Sequence, residues 1–370
     1  MDSSGFFNRI RSQYQRALPF VVYRKPGQIE TMALLQKNNL VYKIKDYSEK
    51  GFVFAPFDST RESILIPIEH SIQLNVDYNV HHGSESVVSR LEACDDQRIA
   101  HIELVRHGIN AISEGKLEKV VLSRCQTVPL KKSDPVEVLM KLLSTYPSAF
   151  VYCWYHPEIG LWLGATPETL IELNAKRIKT MALAGTQKYD GNLNATWGNK
   201  EQHEQKFVTE FLMDQLSGSV DKVTVSKTET IKAGELLHLR TTITGILNSS
   251  LDAILKKLHP TPAVCGLPQD LARSFILSRE NYQREFYTGF LGELNLLQIN
   301  RRNSNRKNVE NNAYDFMKTG THLFVNLRCM QIKNDQALIY VGGGITEDSI
   351  PEFAWEETVN KTSTIYRVLT

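Results

Sequence analysis

Residues 149–186 read "AFVYCWYH", "GLWLGATP" and "ETLIELNAKRIKTMALAGT", apolar runs of strand length separated by tight turns. Parallel neighbours need a crossover of a dozen residues or more, so connections this short impose antiparallel pairing. The end of the chain repeats the pattern with "YTGFLGELNLL", "HLFVNLRCMQI" and "ALIYVGGGI", closed by a terminal helix. Helix-period segments such as "DDQRIAHIELVRHGINAISEG", "DPVEVLMKLLSTY", "NKEQHEQKFVTEFLMDQLSG" and "QDLARSFILSRENY" punctuate these runs of strands instead of alternating with them. That order specifies an α+β chain. Asp134 before Pro135 reads as a helix N-cap, and Gly115 as the C-cap of the preceding helix.

The first hundred residues hold strand-like pieces ("PFVVYR", "GFVFAPF", "SILIPI") and no chemical cluster. The Asn-rich stretch 300–321 is polar and aperiodic and reads as an extended hairpin loop. With no short repeat and no linker, residues 1–370 are expected to form a single domain. Within it, 1–94 is a less distinctive N-terminal portion and 95–370 carries the motifs.

Lys and Arg number 43 against 41 Asp and Glu, a net charge of +2 that favours no nucleic-acid partner. Five scattered cysteines form no CxxC or metal-knuckle spacing, which fits reduced thiols in a cytoplasmic protein. Arg9, Arg11 and Arg16 break the N-terminal apolar residues, so no signal peptide is read, and no segment has membrane-spanning length.

Several charged residues sit on apolar faces. Glu204 shares a helical stripe with Val208, Phe211 and Leu212, and Glu357 and Lys361 share one with Ile365 and Val368. Strict alternation along "HLFVNLRCMQI" puts Arg328 on the face of Phe324 and Met330, where a guanidinium serves as a carboxylate fork. Gly342, Gly343 and Gly344 read as a loop whose backbone N–H groups can approach an anion, a carboxylate rather than a polyphosphate given Glu347 and Asp348 nearby. Glu168 follows Thr166–Pro167 at a turn, and Lys119 opens the strand "KVVLSR". Taken singly, each of these reads as well or better as a solvated or structurally paired residue. Together they describe one pocket with carboxylates for a metal and cations for an anionic ligand.

The motifs "KVVLSR", "LGATPETL", "ALAGT", "HPTPAVCGLP", "REFYTGFLGEL", "FVNLRCMQI" and "GGGIT…EETVNK" occur in the order found in chorismate-utilising enzymes. From about residue 95 onward the chain resembles that family, most of all its isochorismate synthase branch. The runner-up is salicylate synthase or another chorismate lyase, followed by a non-catalytic chorismate-binding relative. Ala184 stands where aminodeoxychorismate synthases carry a nucleophilic lysine, which argues against that branch. The resemblance implies two antiparallel sheets packed face to face with helices outside (α/β/β/α) and a site in a cleft between the halves. It implies conversion of chorismate to isochorismate with Mg²⁺, the product entering menaquinone or siderophore synthesis. It further implies a monomer without a glutamine amidotransferase subunit.

Residue by residue, Lys119 matches the family's general base and Glu168 its general acid. Glu204 and Glu357 match the Mg²⁺ ligands. Gly185, His259, Arg328, Gly342, Gly343, Gly344 and Lys361 match substrate-binding positions. A lysine base requires burial or nearby cations, and a glutamate acid requires a raised pKa. Three departures stand out. Gln205 replaces a histidine and Ala354 a glutamate beside the two metal positions, and the loop 300–321 is longer than its counterparts.

Overall fold

The computed structural model describes residues 1–78, 95–130, 134–233, 236–299 and 317–369. The chain opens with α1 (Ser3–Gln15) and six strands, β1 (Phe20–Arg24), β2 (Glu30–Gln36), β3 (Tyr42–Lys43), β4 (Gly51–Ala55), β5 (Ile64–Pro67) and β6 (Ser71–Asp77). Next, α2 (Asp95–Ser113) leads into β7 (Lys119–Pro129), and α3 (Pro135–Thr145) into β8 (Phe150–His156), β9 (Gly160–Thr166), β10 (Thr169–Asn174) and β11 (Arg177–Lys188). Helix α4 (Asn199–Leu216) precedes β12 (Val220–Val225), β13 (Glu229–Ala233) and β14 (Leu236–Leu247). After α5 (Leu251–Leu258), β15 (Gly266–Leu267) and α6 (Gln269–Arg279) come β16 (Phe290–Ile299), β17 (Met317–Val325), β18 (Cys329–Lys333), β19 (Gln336–Ile345) and α7 (Pro351–Tyr366). No helix among the described residues is long and apolar enough to cross a membrane.

The strands form two antiparallel sheets. The first runs β15-β7-β19-β18-β9-β8-β1-β2-β6, and the second β12-β14-β11-β10-β17-β16-β4-β5-β3, with β13 also on β14. An aromatic layer between them joins Tyr23, Phe150, Tyr152, Trp154 and Trp162 of the first sheet to Phe52, Phe54 and Phe324 of the second. On the outer face of the first sheet, Val22, Val151 and Cys153 pack under α1, α3 and the end of α7. Helices α4 and α5 cover the second sheet through Val208, Leu212, Ile254 and Leu258. The result is the α/β/β/α order expected from the resemblance. Strands β1 and β8 read as unbroken apolar runs because both of their faces are buried. The first 77 residues supply strands to both sheets.

The helix-end signals act as read. The Asp134 side chain accepts from the Val136 N–H at 3.0 Å, and Gly115 sits at φ +72°, a left-handed conformation that suits glycine. The hairpin loop read over 300–321 is corrected at its end. Residues 317–321 belong to β17, and 300–316 lie outside the described residues.

Two corrections concern the site. "HLFVNLRCMQI" is not one strand. It ends one strand in the second sheet and, after Asn326–Arg328, begins another in the first, with Arg328 at φ +47°. Alternation therefore does not place Arg328; a crossing between sheets does. Nor is the glycine run a loop. Gly342–Gly344 lie within β19, paired with Ser123, Leu122 and Val121 of β7.

Candidate active site

The chain crosses between the sheets twice at neighbouring places, because β9 lies beside β18 in one sheet and β10 beside β17 in the other. Pro167–Glu168 makes the first crossing and Asn326–Arg328 the second. The crossings are laced together, Val325 N–H donating to Glu168 O and Ala165 N–H to Arg328 O, both at 3.0 Å. Asn326 is fully buried between the Tyr152 hydroxyl, which donates to its Oδ1 at 2.6 Å, and Phe286 O, which accepts from its Nδ2 at 2.9 Å. A glutamate and an arginine from distant parts of the sequence thus reach one cavity on adjacent, anchored backbone.

Nine of the eleven expected residues line that cavity: Lys119, Glu168, Gly185, Glu204, Arg328, Gly342, Gly344, Glu357 and Lys361. Gly343 lies just behind it, facing Glu357. His259 is the exception. Its ring meets Phe290 edge-on and its Nε2–H donates to Pro56 O at 3.0 Å, in a separate cleft. Burial draws His259 down to about 4, so it is a neutral structural side chain there.

Lys119, the first residue of β7, is only 2% exposed, which excludes the reading of a solvated strand end. Glu168 is equally enclosed at 4%. Burial raises its carboxyl to about 8 even though the charges of Lys119 and Arg328 both pull the other way. A carboxyl in that state carries its proton at neutral pH. Burial lowers Arg328 to about 10, which leaves the guanidinium charged.

The strand of glycines leaves room where side chains would stand. A Cβ on Gly344 would stand 2.8 Å from Glu204 Oε1 and 3.2 Å from Lys119 Cε, and one on Gly343 would stand 3.2 Å from Glu357 Oε2. Glu204 thus lies against Gly344 on one face of the strand and Glu357 against Gly343 on the other, both where a side chain would stand in the way, and both line the cavity. Lys361 Nζ bonds Glu357 Oε1 at 2.7 Å and Gly342 O at 2.9 Å. Burial pushes the Glu357 carboxyl up, but Lys361, by charge and hydrogen bond, with Lys200 and Lys119 behind it, holds it below the usual carboxylate range. The set of two oxygen donors fits a hard divalent cation that keeps several of its waters, as Mg²⁺ does. Glu204 lies on the flank of α4 beside the buried stripe of Gln205, Val208 and Leu212, and this turns it toward the cavity. Gln205 itself faces the sheet, donating to Ala182 O at 3.1 Å and to Thr241 Oγ1 at 2.9 Å.

His238 of β14 is a cavity residue that sequence reasoning missed. Gly185 O can only accept, so the 2.9 Å contact makes His238 Nδ1 the donor and leaves Nε2 to accept from Arg328 Nη2 at 2.8 Å. Burial, followed by the charge of Arg328, holds this imidazole near 3, hence neutral and able to accept. His238 thereby aims the Arg328 fork. Its only signal in "ELLHLRTTITG" is a histidine on the buried face of a strand, which core histidines share.

Comparison with known proteins adds the following. Residues 57–298 match a family model described as chorismate binding enzyme, and residues 316–367 match a second model of the same description. The isochorismate synthase MenF of Escherichia coli (strain K12) is 31% identical over 279 residues, covering 72% of this chain and 59% of that protein. The isochorismate synthase DhbC of Bacillus subtilis (strain 168) is 28% identical over 287 residues, covering 72% of this chain and 66% of that one. The chain thus spans about three fifths to two thirds of the length of these curated relatives. Among solved structures, the menaquinone-specific isochorismate synthase MenF of Escherichia coli superposes with a TM-score of 0.73 at 20% identity, covering 95% of this chain and 89% of that one. Anthranilate synthase component I of Streptococcus pneumoniae TIGR4 gives 0.65 at 17%, covering 94% and 89%. At these identities the superpositions speak for the fold.

Proposed function

The chain belongs to the chorismate-binding enzymes, and from that premise we propose that it is an isochorismate synthase, adding water at C2 of chorismate as the C4 hydroxyl leaves. The observation that carries this reading is a buried lysine and a buried glutamic acid, its carboxyl raised by burial, facing one cavity with an arginine beside them. Lys119 takes a proton from the attacking water. The C2–O bond forms, the ring double bonds shift, and the C4–O bond breaks. Glu168 gives its proton to the departing hydroxyl, which leaves as water. Atoms and charge balance without a redox partner, so the net change is an isomerisation.

Arg328, aimed by His238, and Lys361 are assigned to the substrate's carboxylates, with the Gly185 and Gly342–Gly344 backbone as the close-fitting wall. Glu204 and Glu357 would hold Mg²⁺, which when bound supplies positive charge to anchor and polarise the ring carboxylate. The interleaving of residues 1–77 into both sheets supports treating the whole chain as one catalytic unit.

The test is direct. Incubated with chorismate and Mg²⁺, the protein is expected to yield isochorismate, resolved by chromatography, with turnover abolished by chelation. Salicylate with pyruvate, or anthranilate when ammonia is supplied, would replace this reading with a lyase. Tight chorismate binding without turnover would replace it with a binding protein.

A further inference from the structure

Arg124 is 7% exposed on β7, and among the described residues its hydrogen-bond acceptors are three neutral side chains. Nε donates to Thr358 Oγ1 at 2.8 Å, Nη2 to Thr362 Oγ1 at 3.4 Å, and Nη1 to Gln126 Oε1 at 2.7 Å. The guanidinium also lies 4.4 Å from the centroid of the Trp355 ring. The two threonines have spent their own hydrogens on the helix, Thr358 Oγ1–H on Trp355 O and Thr362 Oγ1–H on Thr358 O, so only lone pairs face the arginine. Each threonine directly follows a cavity residue: Thr358 follows Glu357, and Thr362 follows Lys361. One planar fork therefore grips α7 at two positions one turn apart. It does so from the strand that begins with Lys119.

A buried cation held by neutral acceptors is a poor investment in stability, since its desolvation is weakly compensated and apolar replacements often cost nothing. Its geometry has a clearer use. We propose that Arg124 is a positioning residue that fixes the rotation and height of α7, and so sets Glu357 opposite Glu204 for the divalent cation. This rests on the metal assignment made above and extends it to a residue that touches neither metal nor substrate.

The experiment is a calorimetric Mg²⁺ titration, without substrate, of the wild type and the Arg124→Met, Arg124→Lys and Glu357→Gln variants, with melting curves alongside. Loss of a residue that orients a metal ligand weakens affinity by about 10–100-fold. Both Arg124 variants are expected to show that loss with a melting temperature close to wild type. The lysine is expected to fail like the methionine, because it keeps the charge but not the fork. If Arg124→Met does not fold, Arg124→Lys carries the test alone. Folded Arg124 variants that bind Mg²⁺ as the wild type does, while Glu357→Gln does not, would overturn the role of Arg124 and leave the metal assignment standing. Unchanged binding in Glu357→Gln would remove the metal assignment, and the role of Arg124 with it.

Discussion

Lys119→Ala is expected to lower kcat for chorismate turnover by about 10²–10⁴-fold, the range a positioned general base contributes. Among the described residues, Lys361 is the one further lysine lining the cavity. It is engaged with Glu357 and Gly342 O. The amine of Lys119 stands on the first residue of β7, fixed on one edge by Leu267 of β15, and its Cε lies against the bare surface of Gly344. Alanine leaves that backbone and both metal-site glutamates in place, so Mg²⁺ should still bind while turnover collapses. Steady-state kinetics with a parallel Mg²⁺ titration checks both. A variant within a few-fold of wild-type kcat would remove Lys119 from the chemistry.

Glu168→Gln is expected to cost a similar ~10²–10⁴-fold in kcat, because the amide keeps the shape but has no proton to give. It also carries a pH signature. Loss of the acidic form of Glu168 as pH rises through about 8, where burial places its carboxyl, should give the wild-type kcat/KM profile a limb one unit lower in slope. The residual activity of the glutamine variant should lack that limb. Stability should move in a definite direction as well. The folded carboxyl titrates at about 8 against an ordinary 4.5, so between those values the folded state holds a proton that the unfolded state has released. The contribution of Glu168 to stability is complete below the lower value and drains away as pH rises to the upper one, at up to about 1.4 kcal/mol per pH unit. Glutamine has no such loss. Melting temperatures of the two proteins should therefore separate progressively from pH 5 to 8, in favour of the variant. Parallel curves would show that Glu168 is not a protonated buried acid.

Sequence and structure agree most closely where local chemistry and motif order act together. Lys119, Glu168, Glu204, Glu357 and Lys361 could be picked out as charged residues among apolar neighbours, and the structure brings all five to one cavity. Antiparallel pairing was likewise legible, because short turns dictate it, whereas the layer order came only from the family resemblance. The crossing at Asn326–Arg328 was not. No glycine or proline marks it, and a strand that changes sheets keeps its alternating pattern on either side of the break. The glycine run misled for the opposite reason: three consecutive glycines signal a turn, but here a paired strand without side chains makes room for two carboxylates and a lysine. His238 and His259 were indistinguishable from core histidines by pattern, and only tertiary placement separates the one that aims Arg328 from the one that braces Phe290.

The central claim is that solvent water, activated by Lys119, supplies the new C2 oxygen while Glu168 expels the old one from C4. Turnover of unlabelled chorismate in H₂¹⁸O, with the product analysed by mass spectrometry, measures this directly. The account predicts isochorismate carrying one ¹⁸O, located at the C2 hydroxyl. Isochorismate formed without label, its hydroxyl carried over from C4, would contradict it.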